Sequence, residues 1–182
     1  MTRPLSYEPD PAPRFAIRAA EPADADGIAR VLVRSWRASY RGILPLDGVL
    51  DRLDVGERAS KWRRILRDDT CLHLVAYDTT HRDVIGFCEA GPRRRPGPWA
   101  GEVYAIYLEH YAKRHGLGRR FFGEVTAWLY ARHMRSMIVW VLEDNHHARR
   151  FYEALGGRAA HQARSIVSGH PVIERAYVWD RL

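Results

Sequence analysis

The feature that most limits the fold of this chain is an almost unbroken run of apolar and aromatic residues from Glu102 to Leu108. Its length is that of a β-strand, and its continuous hydrophobicity is typical of a strand covered on both faces. A polar turn follows, and K-R-H-G-L-G-R-R then leads into apolar residues at helical spacing through about His133. The sequence therefore predicts a central strand of a sheet, a glycine-containing loop and a helix.

The loop before this helix is suited to holding an anion. The N–H groups of the first helical turn have no intrahelical partner and carry partial positive charge, and glycines let a phosphate approach them. A G-x-G pair alone is a weak signal, because Gly118 could instead permit close packing of the helix on a strand. The strand before the loop and the helix after it strengthen the anion-binding interpretation.

A second motif, N-H-H-A-R-R-F-Y-E-A-L-G-G, starts at Asn145. Its apolar residues fall at offsets i, i+3, i+4 and i+7, which is one stripe of a short amphipathic helix: Ala148, Phe151, Tyr152 and Leu155. Asp144 or Asn145 can cap this helix, and two glycines can end it. Taken alone, the inward Tyr152 is a core tyrosine whose hydroxyl bonds a carbonyl.

In this order and at this separation, the two motifs resemble those of the GNAT acetyltransferase superfamily. The shared pattern is strand, K-x-x-G-x-G, helix, strand and then N-x-x-A-x-x-F-Y-x-x-x-G, and the resemblance covers roughly Arg14 to Leu182. It implies an α+β fold of three α/β/α layers, with a mixed, mostly antiparallel, twisted sheet of about seven strands and about four helices. It also implies an enzyme, an acetyl-CoA-dependent N-acetyltransferase.

Periodicity along the chain agrees with an α+β order. The predicted strands are residues 15–19, 71–77, 84–90, 102–108, 136–142, 158–167 and 171–179. The predicted helices are residues 23–40, a helical region from about 46 to 67, residues 117–133, and the short helix of the second motif.

The resemblance assigns acetyl-CoA, as cosubstrate, to the two motifs. The pantetheine arm is expected alongside the fourth strand, and the pyrophosphate on the amides of the glycine loop. The implied cofactor-binding residues are Ile106, Tyr107, Leu108, Lys113, Arg114, His115, Gly116, Leu117, Gly118, Arg119, Asn145 and Ala148. Lys113 stands where a glutamine or arginine is commoner in the superfamily, which keeps a positive charge but loses bidentate geometry.

Tyr152 is the predicted general acid. Transfer of an acetyl group to an amine requires a neutral nucleophile, a polarised carbonyl and a proton for the leaving thiolate. A tyrosine with a pKa of about 10 keeps its proton at neutral pH until the thiolate forms. A backbone N–H near Ile106 to Leu108 could stabilise the developing oxyanion if a bulge or splay frees it from the sheet.

Glu102 is the predicted general base, because its separation from Lys113 resembles that of the catalytic glutamate in histone-type members. On simple alternation, Glu102 shares a face with Tyr104, Ile106 and Leu108, whose apolar surroundings would raise its pKa. An ion pair with one of the many arginines is an equal alternative. Glu89, near the end of the preceding strand, is the other candidate base.

The acceptor is expected to be a small-molecule or peptide amine. Trp36 and Tyr40 are the predicted substrate residues, together with the loop after the first helix (residues 41–43) and the last hairpin (residues 168–172), although core packing explains Trp36 equally well. His146 and His147 point in different directions and lack a third ligand in register, so no metal is expected. A homodimer stays open as an assembly.

Composition supports a single domain. The chain has 182 residues, of which 46% are hydrophobic, and can bury a full core without metals or disulfides. Four prolines among the first thirteen residues predict a flexible arm over residues 1–13 and a domain over residues 14–182. Because no apolar run approaches a membrane span and no apolar signal region follows Met1, a cytoplasmic protein without membrane contact is expected.

The net charge of +7 and the pI of 9.8 raise the alternative of a nucleic-acid- or ribosome-associated protein. All but two of the 29 basic residues are arginines spread along the whole chain, and no nucleic-acid-binding motif accompanies them. The one dense run, Arg93 to Arg95, lies in a turn-rich loop where a solvated surface is favoured over binding of CoA phosphates or an acidic substrate. A catalytically silent acyl-CoA-binding domain is the other alternative.

Overall fold

The computed structural model describes residues 14–182, and the predicted arm of residues 1–13 lies outside the described residues. The strands are β1 (Phe15–Ala19), β2 (Leu72–Asp78), β3 (Asp83–Pro92), β4 (Gly101–Leu108), β5 (Met137–Leu142), β6 (Arg158–Val167) and β7 (His170–Trp179). They form one sheet in the order β1-β2-β3-β4-β5-β7-β6. Only β4 and β5 run parallel to each other; the other neighbouring strands of this described sheet are antiparallel.

Four α-helices cover the two faces of this sheet. They are α1 (Ala25–Ser39), α2 (Val55–Ile65), α3 (Leu117–Ala131) and α4 (His146–Ala154). Helices α1 and α2 bury Ile28 and Trp62 against Phe87 of β3, whereas α3 and α4 contribute Phe121 and Tyr152 to a core on the other face. The predicted three-layer α+β fold with a mixed, mostly antiparallel sheet is confirmed.

The helical region predicted over residues 46–67 is divided into two pieces. Residues Leu46–Leu50 form a short helical turn in which Gly48 has a φ of 88°, a left-handed conformation that glycine adopts without steric cost. Helix α2 then begins after Asp54, whose side chain accepts a hydrogen bond from the Glu57 N–H at 2.7 Å. The break follows from these two local signals, a left-handed glycine and an N-cap.

Strand β4 contains a β-bulge. Val103 lies opposite Ala90 and Ala105 lies opposite Glu89, so that Tyr104 has no partner on β3. An unpaired residue of this kind reverses the alternation of side chains beyond it.

The bulge corrects one expectation drawn from strand alternation. Ile106 and Leu108 pack in the same core as Val103, under α3. Glu102 and Tyr104 both contact Arg94 instead. The predicted shared face of Glu102 with Ile106 and Leu108 is therefore wrong, because strict alternation assumes a regular strand.

Strands β4 and β5 diverge just beyond the bulge. Their pairing covers three positions and ends at Val103 opposite Val139. The N–H of Glu109 donates to Ile85 of β3 at 2.8 Å. Because successive N–H groups of a strand point to opposite edges, those of Ile106 and Leu108 point into the gap left by β5. The splay that the sequence analysis required is present.

Candidate functional site

The gap between β4 and β5 opens into a cavity of about 810 Å³. The two strands, the start of α3, the length of α4 and the end of α1 form its walls. Residues predicted from the sequence that line it are Tyr40, Ile106, Tyr107, Leu108, Lys113, Arg114, Gly116, Gly118, Arg119, Asn145, Ala148 and Tyr152. Twelve predicted positions from four segments of the chain therefore meet at one cavity.

Other predicted residues lie outside the cavity lining. Leu117 is buried in the core with 1% exposure, and His115 packs edge-on against Phe15. Trp36 packs edge-on against Tyr40 with ring centroids 5.2 Å apart. Trp36 therefore supports the wall of the cavity from behind and does not form its surface.

Sequence reasoning missed several lining residues, namely Ser35, Ser39, Tyr104, Ala105, Val139, Trp140, Val141, His147, Arg150, Phe151, Ala154 and Leu155. Most of them follow from two facts of geometry, the splay of β5 and the face that α4 turns towards the gap. The α4 stripe was visible as periodicity in the sequence. The splay had no sequence signal.

The loop before α3 has the geometry of an anion site. Arg114 and Gly116 have φ values of 66° and 77°, and alternation with left-handed residues turns successive N–H groups to one side. Among residues 14–182, no protein group accepts a hydrogen bond from the N–H groups of residues 114–119. A left-handed arginine costs about 1 kcal/mol or more, which is the kind of strain that functional loops retain.

Gly116 and Gly118 have different roles in this loop. A Cβ at Gly116 would meet no atom within 4 Å, so this residue faces open space in the cavity. A Cβ at Gly118 would lie 3.0 Å from the ring of Phe151. Gly118 thus allows α3 to approach the helix α4 closely, whereas the sequence had suggested close packing on a strand, and Gly116 leaves room for a ligand.

Asn145 both caps α4 and lines the cavity. Its side-chain oxygen accepts a hydrogen bond from the Ala148 N–H at 3.1 Å, which satisfies one free N–H of the first turn. Because the oxygen is engaged in this way, the amide nitrogen is the group available to a ligand.

The Tyr152 side chain is directed from α4 towards the gap. The residue is 6% exposed, and its ring packs near those of Phe151 and Trp179. Among the described residues, no group forms a hydrogen bond with its hydroxyl, whereas a buried core tyrosine normally finds a partner. The phenol therefore presents an unsatisfied donor to the cavity.

Burial raises the pKa of Tyr152, with smaller contributions from Cys88 and Tyr107. The tyrosine is consequently protonated throughout the physiological range. The same apolar surroundings raise the pKa of the neighbouring Cys88 thiol. A thiolate formed in this region would therefore also be a stronger base than in water, which offsets the weaker acidity of the buried phenol.

A pair of tyrosines forms the wall opposite Tyr152. The hydroxyls of Tyr40 and Tyr107 lie 3.0 Å apart, and burial raises the pKa of both. Ser35 also lines the cavity, and its buried hydroxyl has no hydrogen-bond partner among the described residues. This end of the cavity thus offers hydroxyl groups within an aromatic wall.

Glu102 forms the ion pair that the sequence analysis left as the alternative to its role as base. Its side chain is 3% exposed. One carboxylate oxygen accepts from the Arg94 N–H at 2.8 Å, and the other accepts from the Arg94 guanidinium at 2.9 Å. Glu102 does not line the cavity, and Arg94 in turn stacks 3.9 Å from the centroid of the Tyr104 ring. These contacts brace the bulge in β4.

Glu89, the other candidate base, lies opposite Ala105 of the cavity wall. Burial raises its pKa, and the positive charges of Arg94 and Lys61 partly oppose that shift. In residues 14–182 its carboxylate forms no hydrogen bond or ion pair. Glu89 is therefore a half-buried carboxylate beside the bulge that is free to accept a proton.

A second cavity of about 440 Å³ lies between the segment after α1, the end of β5 and the β6–β7 hairpin. Its lining includes Ile43, His170, Pro171 and Val172. These belong to the two segments that were expected to surround the acceptor.

The described residues contain no group of three or more His, Cys, Asp or Glu side chains placed to hold a metal ion. Within the same residues, every helix is too short or too polar to cross a bilayer.

Comparisons with known proteins agree with this geometry. The family model described as acetyltransferase (GNAT) family matches residues 31–157. The chain is 33% identical over 168 residues to the uncharacterized N-acetyltransferase YuaI of Bacillus subtilis. This alignment covers 91% of the present chain and 93% of YuaI.

Two solved structures show the same fold. The PaiA N-acetyltransferase of Thermoplasma acidophilum in complex with coenzyme A superimposes with a TM-score of 0.69 at 19% identity, over 88% of this chain and 97% of that one. The acetyltransferase YncA of Salmonella typhimurium with acetyl-CoA gives a TM-score of 0.66 at 19% identity, over 91% and 92%.

Proposed function

Because the chain belongs to the acetyltransferase (GNAT) family and is an acetyl-CoA-dependent acetyltransferase, we propose that it acetylates a primary amine by direct attack in a ternary complex. The proposed catalytic domain is residues 14–182. The observation that carries the proposal is the Tyr152 hydroxyl, which lies unbonded in the cavity at the gap between β4 and β5.

The residues at the cavity fit acetyl-CoA. The free N–H groups at the start of α3 suit the pyrophosphate, and Lys113, Arg114 and Arg119 add positive charge beside them. The exposed edge of β4 suits the amides of the pantetheine arm, and Asn145 can donate from its amide nitrogen. When bound there, acetyl-CoA supplies an activated acyl group and a thiolate leaving group.

The chain's own groups can then act on the transfer. The N–H groups of Ile106 and Leu108 are placed to stabilise negative charge on the acyl oxygen, since β5 does not occupy them. Tyr152 gives its proton to the thiolate as the bond to sulfur breaks. Glu89 takes the proton of the attacking amine through a water molecule, while Glu102 holds the bulge through Arg94.

Thermal unfolding with and without acetyl-CoA tests the cofactor assignment. A ligand at a hundredfold excess over its dissociation constant should stabilise the protein by about 2.7 kcal/mol. No shift at millimolar acetyl-CoA would contradict it. CoA release on a panel of amines, amino acids and peptides then tests the reaction, and stabilisation without release on any acceptor would indicate a catalytically silent acyl-CoA-binding domain.

A further inference from the structure

Glu174 is a nearly buried carboxylate on the sheet face opposite Tyr152. Its side chain is 13% exposed, and it lies directly opposite Leu142 of β5. Residues opposite each other in antiparallel strands project to the same face. Leu142 packs with Tyr40 in the core beneath the segment after α1, so that Glu174 lies on the same face as Tyr40, which is a predicted substrate residue.

Arg95 covers this carboxylate. Its guanidinium lies 2.6 Å from a Glu174 oxygen and 4.6 Å from the ring centroid of Trp140. Trp140 lines the cavity and lies two residues before Leu142 on the same strand, hence on the same face. Arg95 itself is 42% exposed and belongs to the turn-rich loop between β3 and β4. An ion pair with so exposed a cation contributes little to stability, and its arginine can be displaced.

Glu174 lies away from the reacting centre. Burial raises the pKa of Tyr40, and the nearby Tyr107, Tyr152 and Glu174 add to that shift. Tyr40 is therefore within electrostatic reach of both Tyr152 and Glu174. Tyr152 packs in the core under α3 and α4, whereas Glu174 lies on the other face, which separates the carboxylate from the proton donor by the thickness of the sheet.

We propose that Glu174 binds a second positive charge on the acceptor, and that Arg95 occupies this place when no acceptor is bound. The proposal rests on amine acetylation as the reaction. A nearly buried carboxylate requires a cation, and the face of Trp140 can stack on an ammonium as it does on the guanidinium. The acceptor is then a diamine, or an amine with another cationic group several bonds from the nitrogen that is acetylated.

Cadaverine and pentylamine test this proposal, since they have the same chain length and differ by one ammonium group. The wild-type kcat/KM for cadaverine should exceed that for pentylamine by about tenfold or more, the value of a hydrogen bond to a charged group. Glu174→Gln should remove this preference by lowering kcat/KM for cadaverine alone, with the KM for acetyl-CoA unchanged. Arg95→Met should lower the KM for cadaverine, because the competing cation is gone.

Two matched controls separate local from general charge effects. Glu124→Gln removes an equal charge from an exposed position on α3, and Arg93→Met removes a neighbouring arginine of the same loop. Both should keep the wild-type preference.

A binding measurement makes the result independent of turnover. Cadaverine should raise the melting temperature of the CoA-bound wild type and leave that of CoA-bound Glu174→Gln unchanged. A preference for cadaverine that survives in Glu174→Gln, or a wild type without any preference, would overturn the proposal. Stabilisation that depends on Glu174 but comes without CoA release would keep the cation site and contradict the proposed reaction.

Discussion

At the scale of single residues, three buried or half-buried side chains differ in their hydrogen-bond partners, and this difference suggests different roles. Within residues 14–182, Tyr152 has a hydroxyl without a partner, Glu102 is held by Arg94, and Glu89 is a free carboxylate with a raised pKa. A group that serves the reaction needs an unsatisfied atom at the cavity, whereas a group that serves the fold has its partners already. Tyr152 meets this condition in the cavity lining, Glu89 lies beside the lining opposite Ala105, and Glu102 already has its partner in Arg94, which supports the proposed division of roles.

Replacement of Tyr152 by Phe should lower kcat by about a hundredfold or more, the range for loss of a positioned acid. The affinity for acetyl-CoA should change little, because the hydroxyl acts when the thiolate forms. Stopped-flow or steady-state CoA release together with calorimetric binding measures both quantities. Tyr111→Phe, at an exposed position, is the control, and an unchanged kcat in Tyr152→Phe would assign the proton to water or another group.

Glu89→Gln should affect the reaction rate, whereas Glu102→Gln should affect the stability of the fold. A base acts when ionised, so the wild-type rate should rise with pH through the raised pKa of Glu89, above the ordinary glutamate value of about 4.3. Glu89→Gln should lower kcat and remove this limb of the pH–rate profile.

Glu102→Gln should instead destabilise the fold by about 1 to 3 kcal/mol, since it weakens hydrogen bonds to a charged group. Denaturant unfolding measures that loss. A pH–rate limb that disappears in Glu102→Gln and persists in Glu89→Gln would reverse the two assignments.

At the scale of elements, the site depends on one irregular strand and on the start of one helix. The bulge at Tyr104 turns Ile106 and Leu108 to the α3 face, and the early end of the β4–β5 pairing leaves an open strand edge. The left-handed residues before α3 direct free N–H groups to the same place. A regular β4 paired with β5 along its whole length would close the gap. The candidate site therefore depends on the bulge, the separation of the strands and the left-handed residues.

Two glycines, one before α3 and one within it, allow a matched test of this picture. Gly116→Ala places a Cβ at a φ of 77° and should weaken acetyl-CoA binding along with stability, by about 1 kcal/mol. Gly123→Ala adds a Cβ in open space within the same helix and should stabilise the protein by about 1 kcal/mol without affecting the ligand. Thermal unfolding and calorimetry with acetyl-CoA measure both, and equal losses of affinity in the two variants would exclude a specific role of the loop.

The turn between β2 and β3 provides a pH-dependent test of stability. Burial would raise the pKa of Asp78, but hydrogen bonds from His81, the backbone of Thr80 and Arg14 lower it to about 2. Because the pKa is lower in the folded state, the ionised carboxylate stabilises the fold at neutral pH, and this contribution is lost as the pH falls from about 4 towards 2.

Asp78→Asn should therefore lower the melting temperature at pH 7, and the difference from wild type should shrink below about pH 4. Melting curves of both proteins across this pH range test the prediction. A difference that stays constant down to the lowest pH would show that packing, and not charge, explains the effect of the substitution.

At the scale of the whole molecule, part of the positive charge behind the net charge of +7 lies around the cavity. Lys113, Arg114, Arg119 and Arg150 all line the cavity beside the loop of free N–H groups. A positively charged, partly enclosed surface concentrates polyanions and accelerates their association. A nucleic-acid partner is not required to account for this part of the charge.

The affinity for acetyl-CoA should consequently fall as ionic strength rises, because salt screens charges on partly exposed surfaces. Lys113→Met should weaken binding at low salt and reduce the salt dependence. Arg63→Met, on the exposed side of α2, is the control for net charge. An affinity for acetyl-CoA that does not change with salt would mean that its phosphates bind away from the basic residues that line the cavity.

Prediction from the sequence was most successful where local pattern and local chemistry coincide. The α4 stripe with its glycine stop predicted the direction of Tyr152, and the glycine loop predicted where α3 starts. It failed for the face on which Glu102 lies, because a bulge leaves no periodic signal, and it missed Trp140 and Glu174 because strands distant in sequence bring them together. The break at Gly48 has a local signal in the glycine itself. The prediction missed it because the apolar residues on either side keep a helical spacing.

The sequence by itself determined the family motifs, the order of strands and helices, and the inward direction of Tyr152, since these depend on periodicity, capping and residue type over short stretches. Only the tertiary structure decided which carboxylates are free and which are paired, because an ion pair such as Glu102 with Arg94 or Glu174 with Arg95 depends on how loops cross the sheet. It also decided that β4 and β5 separate, since strand pairing is a contact between distant segments. The acetyl-CoA site can thus be predicted from the motifs, whereas the site for the acceptor depends on the fold.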